Sequence, residues 1–466
     1  MAKRRCTLEK KPKPTAKVVK RIAPLISALD VPSIRFLTDL LEQCGLVNFY
    51  RQDARRNRLQ DLYCRLQHSL LLFFMAVHFL STITRAVHYL PVFIECFFED
   101  VVMFNFYAQI CIYRRRHRQI SALTAIMEKS FSRANEGIVR ADARIIRTVF
   151  YLFVMAIGGV AVATLLVALI PLTQAETDIR RQLYNMKYPD RLLPSEVKIP
   201  FVDKSELPNY VFIFVFFAYI VLVSLILAAI TINMIPFVTI HLRRQYSMLC
   251  NFVEKLGAPH TDLLGNEIRY TDIETNAYRV CGNSIGVNAR VTRQRRDLER
   301  RLYHRNYVKQ IIRFHQKLLA FQNEMVAVFG LNVLVQTIVN FTATSLCLYQ
   351  LLLGANNKGD GALSKLRSYQ FIGEFITFNA QCYYWSHCSE LLDDCNTALC
   401  RSLGNSHWTE CDATTRNNVR MLLRRAQCPN HLRFYQGVVL LSRGHYLTIV
   451  KMAYTFVNFM RLKQAK

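Results

Sequence analysis

Thr148–Leu172 reads TVFYLFVMAIGGVAVATLLVALIPL, twenty-five residues without one charged side chain. A helix needs about 20 mostly apolar residues to cross the hydrocarbon core of a bilayer, so this stretch predicts a membrane span. Outward from it, six more blocks predict spans at Leu66–Ile83 (LQHSLLLFFMAVHFLSTI), Tyr89–Ile112, Tyr210–Ile240, Met325–Leu353, Tyr369–Cys388 and Gly437–Met460. The second is interrupted by Glu95, Glu99 and Asp100, and the sixth and seventh are more polar. Those three are expected to be lined partly by protein rather than lipid. The expected fold class is all-α, a polytopic membrane protein of seven transmembrane helices. With 52% hydrophobic residues, 16 Gly and 13 Pro in 466 and no low-complexity tract, a string of linked soluble modules is disfavoured.

The formal charge of +27 could signal a nucleic-acid binder. No binding motif accompanies it, and the basic residues lie between apolar blocks, as in cytoplasmic loops of a membrane protein. The expected partner of that charge is membrane lipid, with no nucleic acid. The segment before the first span is strongly basic. So are Tyr113–Gln119 (YRRRHRQ) after the second and Arg293–Arg305 (RQRRDLERRLYHR) after the fourth. The loop 173–209, between the third and fourth spans, has about as many acids as bases. This pattern predicts a cytoplasmic N-terminus and an extracellular C-terminus. The opening MAKRRCTLEKKPKPTAKVVK has no apolar core, so no cleaved signal peptide is expected. G-protein-coupled receptors place the N-terminus outside. Their D-R-Y after span three and N-P-x-x-Y in span seven are also missing, which disfavours that class.

These readings divide the chain into a basic cytoplasmic segment (1–65), spans one to four (66–240), a cytoplasmic loop (241–324), spans five and six (325–388), a second cytoplasmic segment (389–436) and the last span with a short extracellular tail (437–466). From Arg295 the loop reads as helix running straight into span five. Val308, Ile311, His315, Leu318 and Gln322 recur at alternating spacings of three and four, with Ile312 and Leu319 widening the stripe. Such a stripe outside the bilayer must pack on something, either this chain's own loops or a neighbouring subunit.

Catalytic signatures are absent: there is no G-x-x-x-x-G-K, no H-E-x-x-H and no G-x-G-x-x-G after a strand, and the His387–Cys388 pair lacks a third orienting residue. No enzyme activity and no cofactor are expected. The 14 Cys fall mostly in spans or in regions where thiols stay reduced. Cys388, Cys395, Cys400, Cys411 and Cys428, with His407, do not have zinc-ligand spacing, so idle thiols and no metal are expected. Glu95, Glu99, Asp100 and Glu374 lie within spans, where charge is costly. Either they line a wet vestibule or pair with cations such as Lys451, or they sit near the interface and hold helices in register. His68 and His78 read as packing or interfacial histidines. The one N-x-S/T match, Asn340-Phe341-Thr342, lies inside span five, out of reach of glycosylation.

Aromatic residues concentrate in the outer halves of spans two, four and six: Tyr89, Phe93 and Phe97; Phe212, Phe216 and Tyr219; Phe371, Phe375 and Phe378. Span three faces them with Gly158, Gly159, Ala161, Ala163 and Leu165. Gly159 and Ala163 have the small-xxx-small spacing that permits close helix approach. The aromatics are either ordinary packing or the lining of an outward-opening pocket for a small, uncharged, largely hydrophobic ligand.

In its layout from about Ile34 onward the chain resembles an insect odorant receptor subunit. The resemblance rests on the inverted orientation, on FYQGVVLLSRGHYLTIVKMAYTFVNFM (Phe434–Met460) with its Ala453-Tyr454-Thr455-Phe456, and on FYAQICIYRRRHRQISALTAIME (Phe106–Glu128) leaving span two. It implies a subunit of a tetrameric, odorant-gated, nonselective cation channel, in which a tuning subunit assembles with a shared co-receptor in the plasma membrane of olfactory sensory neurons. Odorant would bind among spans two, three, four and six, and cytoplasmic helices, including the extension of span five, would anchor subunits to one another. Carried over by position, Thr455, Asn458 and Leu462 would face the conduction path with Phe459 behind or beside it. Arg461, Lys463 and Lys466 put positive charge near that mouth, against the acidic or neutral lining a cation pore prefers. Few copies in a heteromer dilute that charge, which favours a tuning subunit, as does the short loop before span five. The related insect gustatory receptors usually end in T-Y-x-x-x-x-x-Q-F, which is missing here.

Overall fold

Helix accounts for 80% of the described residues. The computed structural model describes residues 34–49, 54–129, 131–132, 135–168, 174–182, 184, 186–195, 197–199, 202–204, 206–262, 265–281, 289–356 and 361–464. Most of the basic N-terminal run, the last residues of the third expected span and Lys466 lie outside the described residues.

The helices are α1 (Ile34–Gln43), α2 (Ala54–Thr84), α3 (Leu90–Lys129), α4 (Glu136–Val167), α5 (Gln174–Gln182), α6 (Leu207–Glu254), α7 (Ala289–Asn356), α8 (Gly361–Asn405), α9 (Ala413–Ala426) and α10 (Arg443–Gln464). The expected spans fall in order on α2, α3, α4, α6, α7, α8 and α10, with corrected ends. The second begins one residue before α3, and the third runs past the end of α4 at Val167. The seventh begins too early, since 437–442 form a turn and β-strand residues ahead of α10. Among the described residues, four of these, α2, α4, α6 and α7, are long and apolar enough to cross a membrane. In α3 and α8 the hydrophobic runs are broken by acids and amides that face other helices. Several helices far exceed the roughly 20 residues a bilayer requires. At 1.5 Å per residue the 68-residue α7 is about 100 Å long, so much of it must lie outside any hydrocarbon layer.

Local sequence explains the ends. Asn135 caps α4, its Oδ1 accepting from the Gly137 and Ile138 N–H groups at 3.0 and 3.3 Å. On α1, Ile34, Leu37, Thr38 and Leu41 are buried at helical spacing against α6. α1 stops at Gly45, whose φ of +67° suits a left-handed cap. A Cβ there would also lie 2.4 Å from the Tyr63 ring, so two constraints demand glycine. α6 tolerates Pro236 in its interior.

The largest core runs from α1, α2, α3 and α4 through α6, α7, α8 and α9, both within the expected spans and beyond them. The stripe on α7 is buried within this chain: Val308 and Ile311 are 1% exposed, Leu318 0%, with His315 and Gln322 also buried. Tyr307 donates to the Phe252 carbonyl at 2.7 Å, and Gln322 Nε2 to the Asn430 carbonyl at 3.1 Å. The stretches expected as loop are largely structured. α6 continues to Glu254, and α8 runs on through residues 389–405 to meet α9. Strict all-α character is corrected by two small antiparallel pairs, β1 (Ile268–Asp272) with β2 (Ala277–Val280), and β3 (Arg433–Phe434) with β4 (Val439–Leu440). Every residue of β2 is exposed, so no buried alternation marks it in the sequence.

Candidate functional site

A cavity of about 200 Å³ lies between α2, α3, α4, α6, α7 and α8. Its walls follow helical spacing. α3 supplies Phe98, Val102, Asn105 and Phe106; α4 supplies Ile157, Val160, Ala161 and Thr164; α6 supplies Phe217, Ile220, Val221 and Ser224; α8 supplies Gln370, Glu374, Thr377, Phe378 and Gln381. α2 adds Phe74 and His78, and α7 adds Gln336. Phe98 and Phe378 meet edge to face, ring centres 5.9 Å apart. At Gly373 the backbone of α8 comes so near α4 that a Cβ would sit 3.3 Å from Val160. The close approach expected at Gly159 falls there instead: Gly159 is exposed, with nothing within 4 Å of a built Cβ.

At one side of the cavity His78, fully buried, bridges two carboxylates. Its Nδ1 is 2.6 Å from Asp100 Oδ1 and its Nε2 2.9 Å from Glu99 Oε2. Ser195 Oγ is 2.7 Å from the same Nε2 and also donates to Glu99, and Thr82 donates to Asp100 Oδ2 at 2.6 Å. Ser195 belongs to the segment joining α4 and α6, so this cluster ties that segment onto the bundle. Glu99 and Asp100 thus pair with His78, while Lys451 is exposed on α10. The reading of His78 as a packing histidine missed this role. A partial signal for it existed: His78 and the Glu99–Asp100 pair lie on either side of the turn at residues 86–88, each within about a dozen residues of it, so the returning helix can bring them together. His78, Cys96 and Glu99 offer donor atoms within 4.8 Å of one another. His68, also buried, meets the Leu46 carbonyl at 3.1 Å.

Below His78 a row of carboxamides joins α3 to α7. Asn105 Nδ2 donates to Gln336 Oε1 at 3.1 Å, Gln336 Nε2 to Asn340 Oδ1 at 2.9 Å, and Gln109 Nε2 to the Asn332 carbonyl at 3.2 Å. All five residues are buried, so each pairing satisfies groups that would be costly alone.

Of the aromatics and small residues singled out in the sequence, Ala161 and Phe378 line the cavity. Phe216 packs on Phe74 from outside the wall, ring centres 5.9 Å apart. Phe375 backs Phe98 through the Ala343–Cys347 cluster. Leu165 joins the main core, Phe371 is buried, Gly158 and Tyr89 are half-buried, and Phe212 is 72% exposed. Tyr219 donates to Gln67 Oε1 at 2.5 Å. Phe93 stacks on Phe97 and packs beside Ile94, Tyr349 and Val457, where α3 meets α10. α10 buries Ile449, Ala453 and Val457 and leaves Thr455, Phe459 and Leu462 exposed, with Asn458 half-buried.

The described cysteines are free thiols. Outside the spans, burial pushes Cys250 up to about 11 and Cys395 up to about 12, which leaves them as thiols rather than nucleophilic thiolates.

Residues 82–454 match the family model described as 7tm Odorant receptor. Two solved structures share the fold: the insect olfactory receptor OR5 from Machilis hrabei (10% identity, TM-score 0.64, covering 94% of this chain and 99% of that one) and the same receptor in complex with eugenol (11%, 0.65, 93% and 98%). No curated protein sequence matches.

Proposed function

The chain belongs to the 7tm odorant receptor family, and on that premise we propose that it is a tuning subunit that binds a small, volatile, largely apolar odorant in the cavity and gates a nonselective cation pore formed with a co-receptor. The cavity itself carries the reading. Six helices enclose about 200 Å³ with mostly apolar walls. An apolar hole of about 150 Å³ holds benzene, so the size suits small volatile molecules. The Machilis hrabei receptor of the same fold has been solved with eugenol, which supports the same use here.

A ligand moves gating only through its different affinity for closed and open states. The cavity touches Gln336 on α7, and α10 rests on α7 and α8, so a ligand that favours one packing of α3 against α7 biases the helix we assign to the pore. On α10, Thr455, Asn458 and Leu462 border the path, with Phe459 beside it. Arg461 and Lys463 argue for few copies per channel, hence for a tuning subunit. The plasma membrane of olfactory sensory neurons, with the N-terminus inside and the C-terminus outside, is the setting we assign.

The test is expression with and without a co-receptor while a panel of volatiles is screened for inward current. Odorant-evoked current only with the co-receptor present is the expected result. No response to any volatile, with the chain at the cell surface, would sink the proposal. Within it, Phe216→Ala and Phe375→Ala ask whether the aromatics behind the wall tune dose dependence as Ala161 and Phe378 should.

A further inference from the structure

One wall of the cavity is chemically unlike the rest. Glu374, on α8, is 8% exposed and lines the cavity. Its Oε1 accepts from Gln370 Nε2 at 3.0 Å, and Gln370 Nε2 also reaches Thr164 Oγ1 at 3.3 Å. Its Oε2 is buried with no hydrogen-bond partner among the described residues. The charged groups that act on it are Glu99 and Glu95, acids like itself. His78, the nearby base of the wall, is already held between Glu99 and Asp100. Among the described residues, no Lys or Arg lines the cavity.

A buried carboxyl oxygen without a partner is expensive to leave so, and more expensive if it is charged. A ligand bringing a positive N–H donor to Oε2 removes that cost, and no other charge type is complemented by a wall whose uncommitted ionisable group is an acid facing acids. The aromatic side chains Phe98, Phe106 and Phe378 add faces that favour a cation over an anion. We propose that Glu374 makes this cavity a site for small organic amines, with the ammonium head on Glu374 Oε2 and an apolar body against Phe98, Ile157, Ala161 and Phe378. The free base carries the molecule through air and lipid. At the site either the amine arrives protonated or it takes the carboxyl proton; the bound pair is the same, an ammonium against a carboxylate.

This inference rests on the cavity being the odorant site. The experiment separates the two. The purified full chain in detergent is titrated, at fixed pH, with matched sets sharing one body: benzylamine, benzyl alcohol and toluene; hexylamine, hexanol and hexane. The rise in unfolding temperature reports binding. The amine in each set is expected to bind at least tenfold more tightly than its alcohol. In Glu374→Gln, which keeps the acceptor for Gln370, that preference should vanish while alcohol binding stays. Equal binding of amine and alcohol by the unmodified chain overturns the amine assignment and leaves the odorant cavity standing, as does a preference that survives Glu374→Gln. Binding of none of the six overturns both. The ranking on the unmodified chain decides the matter even where the variant does not fold.

Discussion

Helices α6, α7 and α8 pass through two regions that are packed by opposite rules. Around the cavity, a void of about 200 Å³ persists among Phe98, Ala161, Phe217 and Phe378. Further along the same helices, Tyr307, Phe314, Leu318, Phe329 and Leu399 are at most 1% exposed. There His260, Tyr270, Tyr303 and Tyr307 interlock ring against ring, with Tyr307 fixed to the Phe252 carbonyl. A site for a guest needs volume the host does not fill. A joint that carries motion between helices needs the reverse, because close-packed interiors transmit strain.

That contrast is open to direct attack. The largest effect belongs to the joint. Phe314→Ala leaves a hole in a core already at full density and should cost about 3–5 kcal/mol, read as a lowered unfolding temperature of the purified protein. A loss under 1 kcal/mol would mean the joint is as loosely packed as the cavity.

The next effect depends on pH. Burial lowers His315 from 6.5 to about 4, and burial likewise lowers His304 to about 4. Both are depressed below their unfolded values, so the folded joint favours the neutral rings. Their contribution is fully present above pH 6.5 and is lost as pH falls from there towards 4. Between pH 7 and 5 each should cost on the order of 2 kcal/mol. Unfolding temperature followed across that window checks this, and His315→Gln should flatten the slope.

The smallest effect on stability, and the sharpest on binding, belongs to the cavity. Ala161→Leu pushes side chain into existing space, so stability should change by less than about 1 kcal/mol. The dose dependence of any cavity ligand should shift about tenfold, roughly 1.4 kcal/mol. A dose curve that does not move would place the ligand elsewhere.

Helix positions were legible because hydrophobic length is a strong signal. The run into α7 from Arg295 was legible because Val308, Ile311 and Leu318 keep a strict helical phase against charged neighbours. Phase is what failed on α6. The sequence there is apolar on all sides, so nothing in it distinguishes Phe216, which backs the wall, from Phe217, which forms it. On α8, Gln370, Glu374 and Gln381 are polar exceptions that mark the inner face, and Phe378 shares it. The His78 cluster was hidden for another reason. Its members come from three separate elements, and only the turn between α2 and α3 together with the return of Ser195 brings them into register.

The unbroken length of α7 has a mechanical corollary. From Gln336 at the cavity to Tyr307 in the joint is about 44 Å of continuous helix without proline. A rod of that span acts as an amplifier. Five degrees of tilt at its cavity end displaces the opposite end by about 4 Å, roughly 70% of the rise of one helical turn. Any tilt imposed beside the cavity is therefore multiplied, along this one strut, into a shift of several ångströms at the far contact.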